Sequence, residues 1–227
     1  MDKRTAWPKF DLPSAAHLQQ ISRLRNIGMA GLRLGVERGL LFIADYRDAP
    51  CWIVTDSSRR LAQARRMDGR LLTLKDGSES KALTLPGSIA SLPLGTPEAE
   101  QFANLLLVEG GPDLLAGLHF LVCECRQRDA TVVCMLGASQ RIAESAVPAF
   151  HGKTVRIFPH IDSSQAGRIG AAHWVRAIKP VARKVDGFDF TDFHRVDGAP
   201  VKDLNDLCLI DPDEFEQHRL LWSICPG

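Results

Sequence analysis

None of the six cysteines, at 51, 123, 125, 134, 208 and 225, falls in a C-x-x-C pair or at a paired spacing with histidine, which argues against a zinc ribbon. Cys123 and Cys125 stand two apart on a predicted helix, so their side chains point to different sectors. In a reducing compartment such thiols are most simply small buried hydrophobes. No apolar run approaches a membrane span, and the opening MDKRTAWPKFDLP lacks the apolar core of a signal peptide, so a cytoplasmic location is expected. The phosphate-cradling pattern G-x-x-x-x-G-K-[S/T] is missing, and a single tyrosine, Tyr46, lies in a predicted strand. Repeats and low-complexity segments are likewise missing. The formal net charge is only +1, which gives no global argument for a nucleic-acid partner. What the chain does have, in 227 residues of which 45% are hydrophobic, is enough apolar material for a core.

Two stretches organise the rest. In NLLLVEGGPDLLAGLH, Asn104 to His119, the run Leu105, Leu106, Leu107, Val108 reads as a strand buried on both faces of a parallel sheet. Gly110 and Gly111 allow a tight turn, and Pro112 suits the first position of a helix through Leu114, Leu115, Leu118 and Phe120. Glu109 is thereby placed at a strand tip, where open α/β sheets bind ligands. In VRIFPHIDSSQAG, Val155 to Gly167, a second strand is followed by Asp162, and Ala166-Gly167 opens a helix with Ile169, Ala172, Trp174, Val175 and Ile178 at helical spacing. Two strand tips carrying carboxylates form a hard oxygen donor set that suits Mg²⁺ completed by substrate phosphates.

These residues, followed by Lys202-Asp203-Leu204-Asn205-Asp206, resemble the Toprim domain shared by bacterial primases, topoisomerases and some nucleases. The tail from Pro200 to Asp206 is most similar to primases of phages, plasmids and other mobile elements, and the resemblance covers roughly residues 104 to 206. It implies that Glu109 is the Toprim glutamate, Asp113 the aspartate of the same motif, and Asp203 the late metal-binding acid, with Asp206 beside it. The family's second motif, Asp-x-Asp-x-x-Gly, fits in two registers. His160 and Asp162 take the acidic positions at the cost of an insertion before Gly167, or Asp162 and Ser164 take them with the spacing kept. Either register leaves one carboxylate, so a second metal is held less firmly. His160 is then either a ligand better suited to Mn²⁺ or Zn²⁺ than to Mg²⁺ or a hydrogen-bonding residue at a strand end.

The first third is rich in arginine, at 23, 25, 33, 38, 47, 59, 60, 65, 66 and 70, whereas acids crowd Asp186 to Glu216. Such a basic surface suits phosphates, although exposed arginines are also ordinary solvated charges. Residues 14 to 26 and Leu32 to Arg38 read as helices, and Leu40 to Tyr46 with Cys51 to Thr55 as a hairpin through Arg47-Asp48-Ala49-Pro50. Residues 59 to 70 suit either helix or strand; the resemblance implies a strand, because primases carry there a strand ending in glycine and arginine and then a lysine segment. QARRMDG and SKALTLPGS look like versions of these, which makes Arg65, Arg66 and Lys81 the implied phosphate contacts.

Turn signals over residues 86 to 103 mark a boundary between a small basic α+β subdomain, 1–95, and a Toprim-like region, 96–210, with a tail at 211–227. Thr131 to Leu136 is a third buried strand, after which Gly137 turns the chain; Ile142 to Phe150 is a short helix and Val185 to Phe190 an edge strand. The alternation predicts an α/β fold with a mostly parallel sheet and helices on both faces. By resemblance the expected activity is a primase-like nucleotidyltransferase, using Mg²⁺ or Mn²⁺, single-stranded DNA and nucleoside triphosphates in the replication of a bacterial mobile element. A zinc module and a replicative helicase, where needed, are expected on other chains. The rivals are a Toprim nuclease and a non-catalytic DNA-binding or loading factor with a decayed site; a topoisomerase is disfavoured because the lone tyrosine sits in the small subdomain.

Overall fold

Strands buried along most of their length build the first half of the chain. In the computed structural model, which describes residues 7–74, 76–161, 163–211, 213–214 and 223–226, helices α1 (Ala15–Arg25) and α2 (Met29–Glu37) precede an antiparallel sheet. Ser14 caps α1 by accepting from the backbone N–H of His17. The sheet consists of β1 (Leu41–Tyr46), β2 (Ala49–Thr55), β3 (Ala62–Arg66) and β6 (Leu83–Thr84), in the order β1-β2-β3-β6, and a small ribbon pairs β4 (Leu72–Thr73) with β5 (Glu79–Ser80). The hairpin turn is tighter than the sequence suggests: Arg47 and Asp48 both take positive φ, at 51° and 57°, and Pro50 already belongs to β2 opposite Asp45. A two-residue turn of that hand follows the strand twist.

A short helix, α3 (Thr96–Ala99), leads into a four-stranded sheet that is parallel throughout. Its strands β7 (Asn104–Val108), β8 (Ala130–Cys134), β9 (Thr154–Phe158) and β10 (Lys184–Gly187) lie in the order β10-β9-β7-β8. Helix α4 (Gly111–Cys123) links β7 to β8 and α5 (Ala166–Ile178) links β9 to β10. Because β7 is followed by a neighbour on one side and β9 lies on the other, the chain reverses direction between β7 and β9. The crevice at the carboxyl ends of those two strands is where ligands enter such sheets.

Two apolar clusters flank the parallel sheet. Leu106, Val108 and Phe158 face a core shared with α1, α2, α4, Trp52 and Val54, whereas Leu105, Leu107, Val155 and Ile157 face Trp174 and Ile178 of α5. The helices therefore cover both faces. Residues 144–150 wind as a 3₁₀ helix rather than an α-helix, with Pro148 inside it removing a backbone donor. The edge strand β10 ends at Gly187, and beyond it Phe188 stacks on Phe158 while Phe190 packs at a tilt against Phe188 in the core. Cys51, Cys134 and Cys225 are buried, and burial pushes the Cys51 thiol up to about 11. Cys125 lies beyond the end of α4, exposed and with a positive φ.

Candidate active site

Glu109 follows the last residue of β7, and its backbone carbonyl accepts from Gly137 N at 3.0 Å, which ties the tip of β7 to the turn after β8. Asp113 sits in the first turn of α4, where a negative charge is favoured by the helix dipole. Both of its oxygens are engaged: Oδ2 accepts from Gly110 N at 3.1 Å and Oδ1 from Asn205 N at 3.0 Å. That second bond pins the 203–206 turn against the start of α4. Asp203 comes with it, accepting from Asp206 N at 2.8 Å through Oδ1, while its Oδ2 lies 3.5 Å from His160 Nδ1. The segment carrying His160 is fixed in turn by Ile161 N, which donates to the Lys202 carbonyl at 2.7 Å.

The chain thus brings Glu109, Asp113, Asp203 and His160 from three separate stretches to the mouth of one crevice. Burial first, and then the neighbouring Asp203 and Glu109 charges, hold the Asp113 carboxyl well above the usual carboxylate range. Asp203 is raised as well, by burial and by Asp206. Asp206 turns partly aside, with Oδ2 accepting from Lys202 N and Oδ1 lying 3.6 Å from Arg195. Asp162 lies outside the described residues.

Two arginines face these acids. Arg65 on β3 pairs across the sheet with Trp52, whose side belongs to the core shared with α4, whereas Arg66 pairs with Cys51 on the opposite side. Alternation therefore sends Arg65 toward Asp113 and Asp203 and sends Arg66 outward, to a salt bridge with Asp68 at 2.5 Å. Burial, with the Arg25 guanidinium nearby, lowers Arg65 to about 10. Lys81 is exposed in the connection between β5 and β6. Arg25, the last residue of α1, is the second arginine: burial lowers it, and Asp203 and Asp113 partly restore it. Its Nε is buried with no hydrogen-bond partner among the described residues. Nothing local marked it in the sequence; its carbonyl is held by the Asn205 side chain at 3.0 Å, a contact between chain ends that only the fold creates.

The donor set at this crevice is of carboxylate oxygens, the class that a hard divalent cation takes. Its oxygens crowd negative charge that burial leaves poorly solvated, and a cation relieves that crowding. Among the described residues no three His, Cys, Asp or Glu side chains close on a common point.

No protein-family model matches the chain and no curated protein matches it. Among solved structures, the fold is similar to that of the primase fragment of the bacteriophage T7 primase-helicase protein, with a TM-score of 0.53, 18% identity, and coverage of 88% of this chain and 72% of that one. It is also similar to a chain in the structure of the bacteriophage T7 lagging-strand DNA polymerase interacting with primase domains of two gp4 subunits bound to an RNA/DNA hybrid and dTTP. There the TM-score is 0.52, the identity 16%, and the coverage 95% of this chain and 92% of that one. At these identities the likeness is one of fold.

Proposed function

We propose that the chain is a Toprim-type, primase-like nucleotidyltransferase that joins nucleotides on a single-stranded DNA template, serving replication of a bacterial mobile element. The observation that carries this reading is the meeting of opposite charges at one crevice: Glu109, Asp113 and Asp203 on one side, Arg25 and Arg65 on the other. A phosphoryl-transfer site needs both, acids for a cation and cationic forks for phosphate oxygens. The T7 primase fold supports the reading at a coarse level.

In this reading Glu109 and Asp203, with Asp162, hold Mg²⁺ or Mn²⁺, and His160 orients Asp203. The bound ion supplies charge neutralisation at the phosphates. Arg65 and Arg25 bind the triphosphate oxygens and align the α-phosphate with a 3′ hydroxyl. The hydroxyl oxygen forms the new bond to phosphorus as the bond to pyrophosphate breaks, and the hydroxyl proton passes to a carboxylate or water at the site. Asp113 is a positioning residue, since both its oxygens already hold backbone. Arg66 and Lys81 lie outside this cluster and are proposed as outer contacts to the template backbone.

One observation favours a binding role instead. The Asp113 oxygens and one Asp203 oxygen are already used by backbone N–H groups, and Ser164 stands where a second acid would keep the motif's spacing. Incorporation of labelled nucleotides on single-stranded DNA, with Mg²⁺ or Mn²⁺, separates the readings when wild type is compared with Glu109→Gln. Incorporation by the wild type is expected to fall at least about 100-fold in the variant, as for loss of a charged group at a phosphoryl-transfer centre. DNA cleavage dependent on Glu109 would identify a nuclease. Absence of both activities would leave a DNA-binding or loading role.

A further inference from the structure

Helix α5 begins at the candidate site and runs away from it. Its buried side, Gly167, Gly170, Trp174 and Ile178, lies against the parallel sheet and its loops. Gly167 is seated on the backbone of His160, where a Cβ would overlap the carbonyl oxygen, so the start of α5 is fixed to the crevice. From Ala166 to Lys184 the sequence holds no acidic residue, against five cations: Arg168, Arg176, Lys179, Arg183 and Lys184. Arg168, Ala172, Arg176 and Lys179 follow at i, i+4, i+8 and i+11, all exposed, which puts three cations on one outward stripe. The stripe continues past the helix end to Arg183, also exposed. Lys184 is already paired with Asp186 at 3.4 Å. Among the described residues none of Arg168, Arg176, Lys179 and Arg183 forms an ion pair, although Arg168 lies within charge range of Asp189.

A helix interior normally mixes signs on its exposed face; a stripe of one sign is a surface for a polyanion. At about 1.5 Å per residue the cations span roughly 16 Å from Arg168 to Lys179, the length of several backbone phosphates. One exposed apolar residue, Ile169, accompanies them, which is too little to bury in a lipid surface. We propose that the outer face of α5 is a track for a nucleic-acid phosphate backbone, guiding a strand between the crevice and the far end of the parallel sheet. The track rests on the polymerising reading only for its direction toward the crevice; binding of the backbone itself stands independently.

The test compares wild type with the triple variant Arg168→Gln, Arg176→Gln and Lys179→Gln, using fluorescence anisotropy over a salt series. The probes are a single-stranded oligonucleotide of about 20 nucleotides and a duplex of about 20 base pairs. Glutamine keeps helix propensity on an exposed face, so circular dichroism and thermal unfolding should match the wild type. The expected result is a loss of roughly tenfold or more in affinity for the single-stranded probe. The slope of log K against log salt should shrink by about 2 for a single strand and by nearly 3 for a duplex, and this difference identifies which form the track carries. An unchanged slope, or a loss seen on anionic phospholipid vesicles and not on DNA, would overturn the inference. A shifted slope with no nucleotide incorporation would keep the track and remove the primase reading.

Discussion

Asp113 shows how one side chain at the site is committed before any substrate arrives. It is buried among other carboxylates, a costly position, yet it accepts from Gly110 N and Asn205 N and so closes the β7–α4 turn while holding the 203–206 turn. Replacing it by alanine leaves two buried backbone donors unpaired, at about 1–3 kcal/mol in all once the relief of repulsion with Asp203 is counted. Asp113→Ala should therefore lower the melting temperature by several degrees, and Asp113→Asn, with one acceptor oxygen for two donors, should recover part of that loss. An unchanged melting temperature in the alanine variant would show that the two turns are held by other means. The acids themselves were legible in the sequence because each follows an apolar strand or sits in a short motif. Arg25 was not. Of the eleven arginines in the first third, Arg38 holds the carbonyls of Gln127 and Ala130, Arg59 stacks on Phe10 and Phe42, and only the fold distinguishes Arg25 and Arg65 from these.

At the level of elements, the position of α5 is set by close backbone approach. Gly170 packs on the Ala138 carbonyl, and a Cβ there would overlap the oxygen, with backbone rather than a flexible side chain in the way. Gly170→Ala gains roughly 1 kcal/mol of helix propensity but forces the helix off the turn after β8, an overpacking cost of about 1–3 kcal/mol or more. The expected outcome is net destabilisation, read as a lower urea midpoint with an unchanged m-value; a raised midpoint would show that the helix shifts freely. Strands β7 and β8 were readable as nearly continuous apolar runs because both their faces are covered. The 3₁₀ segment at 144–150, the two-residue hairpin turn and the early end of β10 were not, since tertiary packing and turn hand decide them. Assignment of residues 59 to 70 needed family resemblance, as their composition suits helix while β3 is held by pairing with β2 and β6.

For the whole molecule, the question is whether the proposed division near residue 95 separates two folding units. It does separate the antiparallel sheet from the parallel one in chain order. The core, however, runs across it: Leu32, Leu41, Trp52 and Val54 share one cluster with Leu106, Val108, Leu115 and Leu118. The junction is also polar and buried, with Asp56 Oδ2 accepting from Gly95 N at 2.9 Å and Arg38 reaching the β8 residue Thr131 at 2.8 Å. The end of the described chain is tied in as well, since Glu124 accepts from Ile224 N and Cys225 N while Ile224 fills the same core. Exposing that shared face would cost each half tens of calories per square ångström, so neither should stand once the other is lost. Trp52 reports the antiparallel sheet and Trp174 reports α5, both fully buried. Variants keeping one of these tryptophans at a time should therefore give coincident urea transitions by fluorescence, matching far-ultraviolet circular dichroism. Separate midpoints would mean that the two sheets fold apart and that the charge cluster between Arg25, Arg65 and the acids of the parallel sheet forms only when they dock.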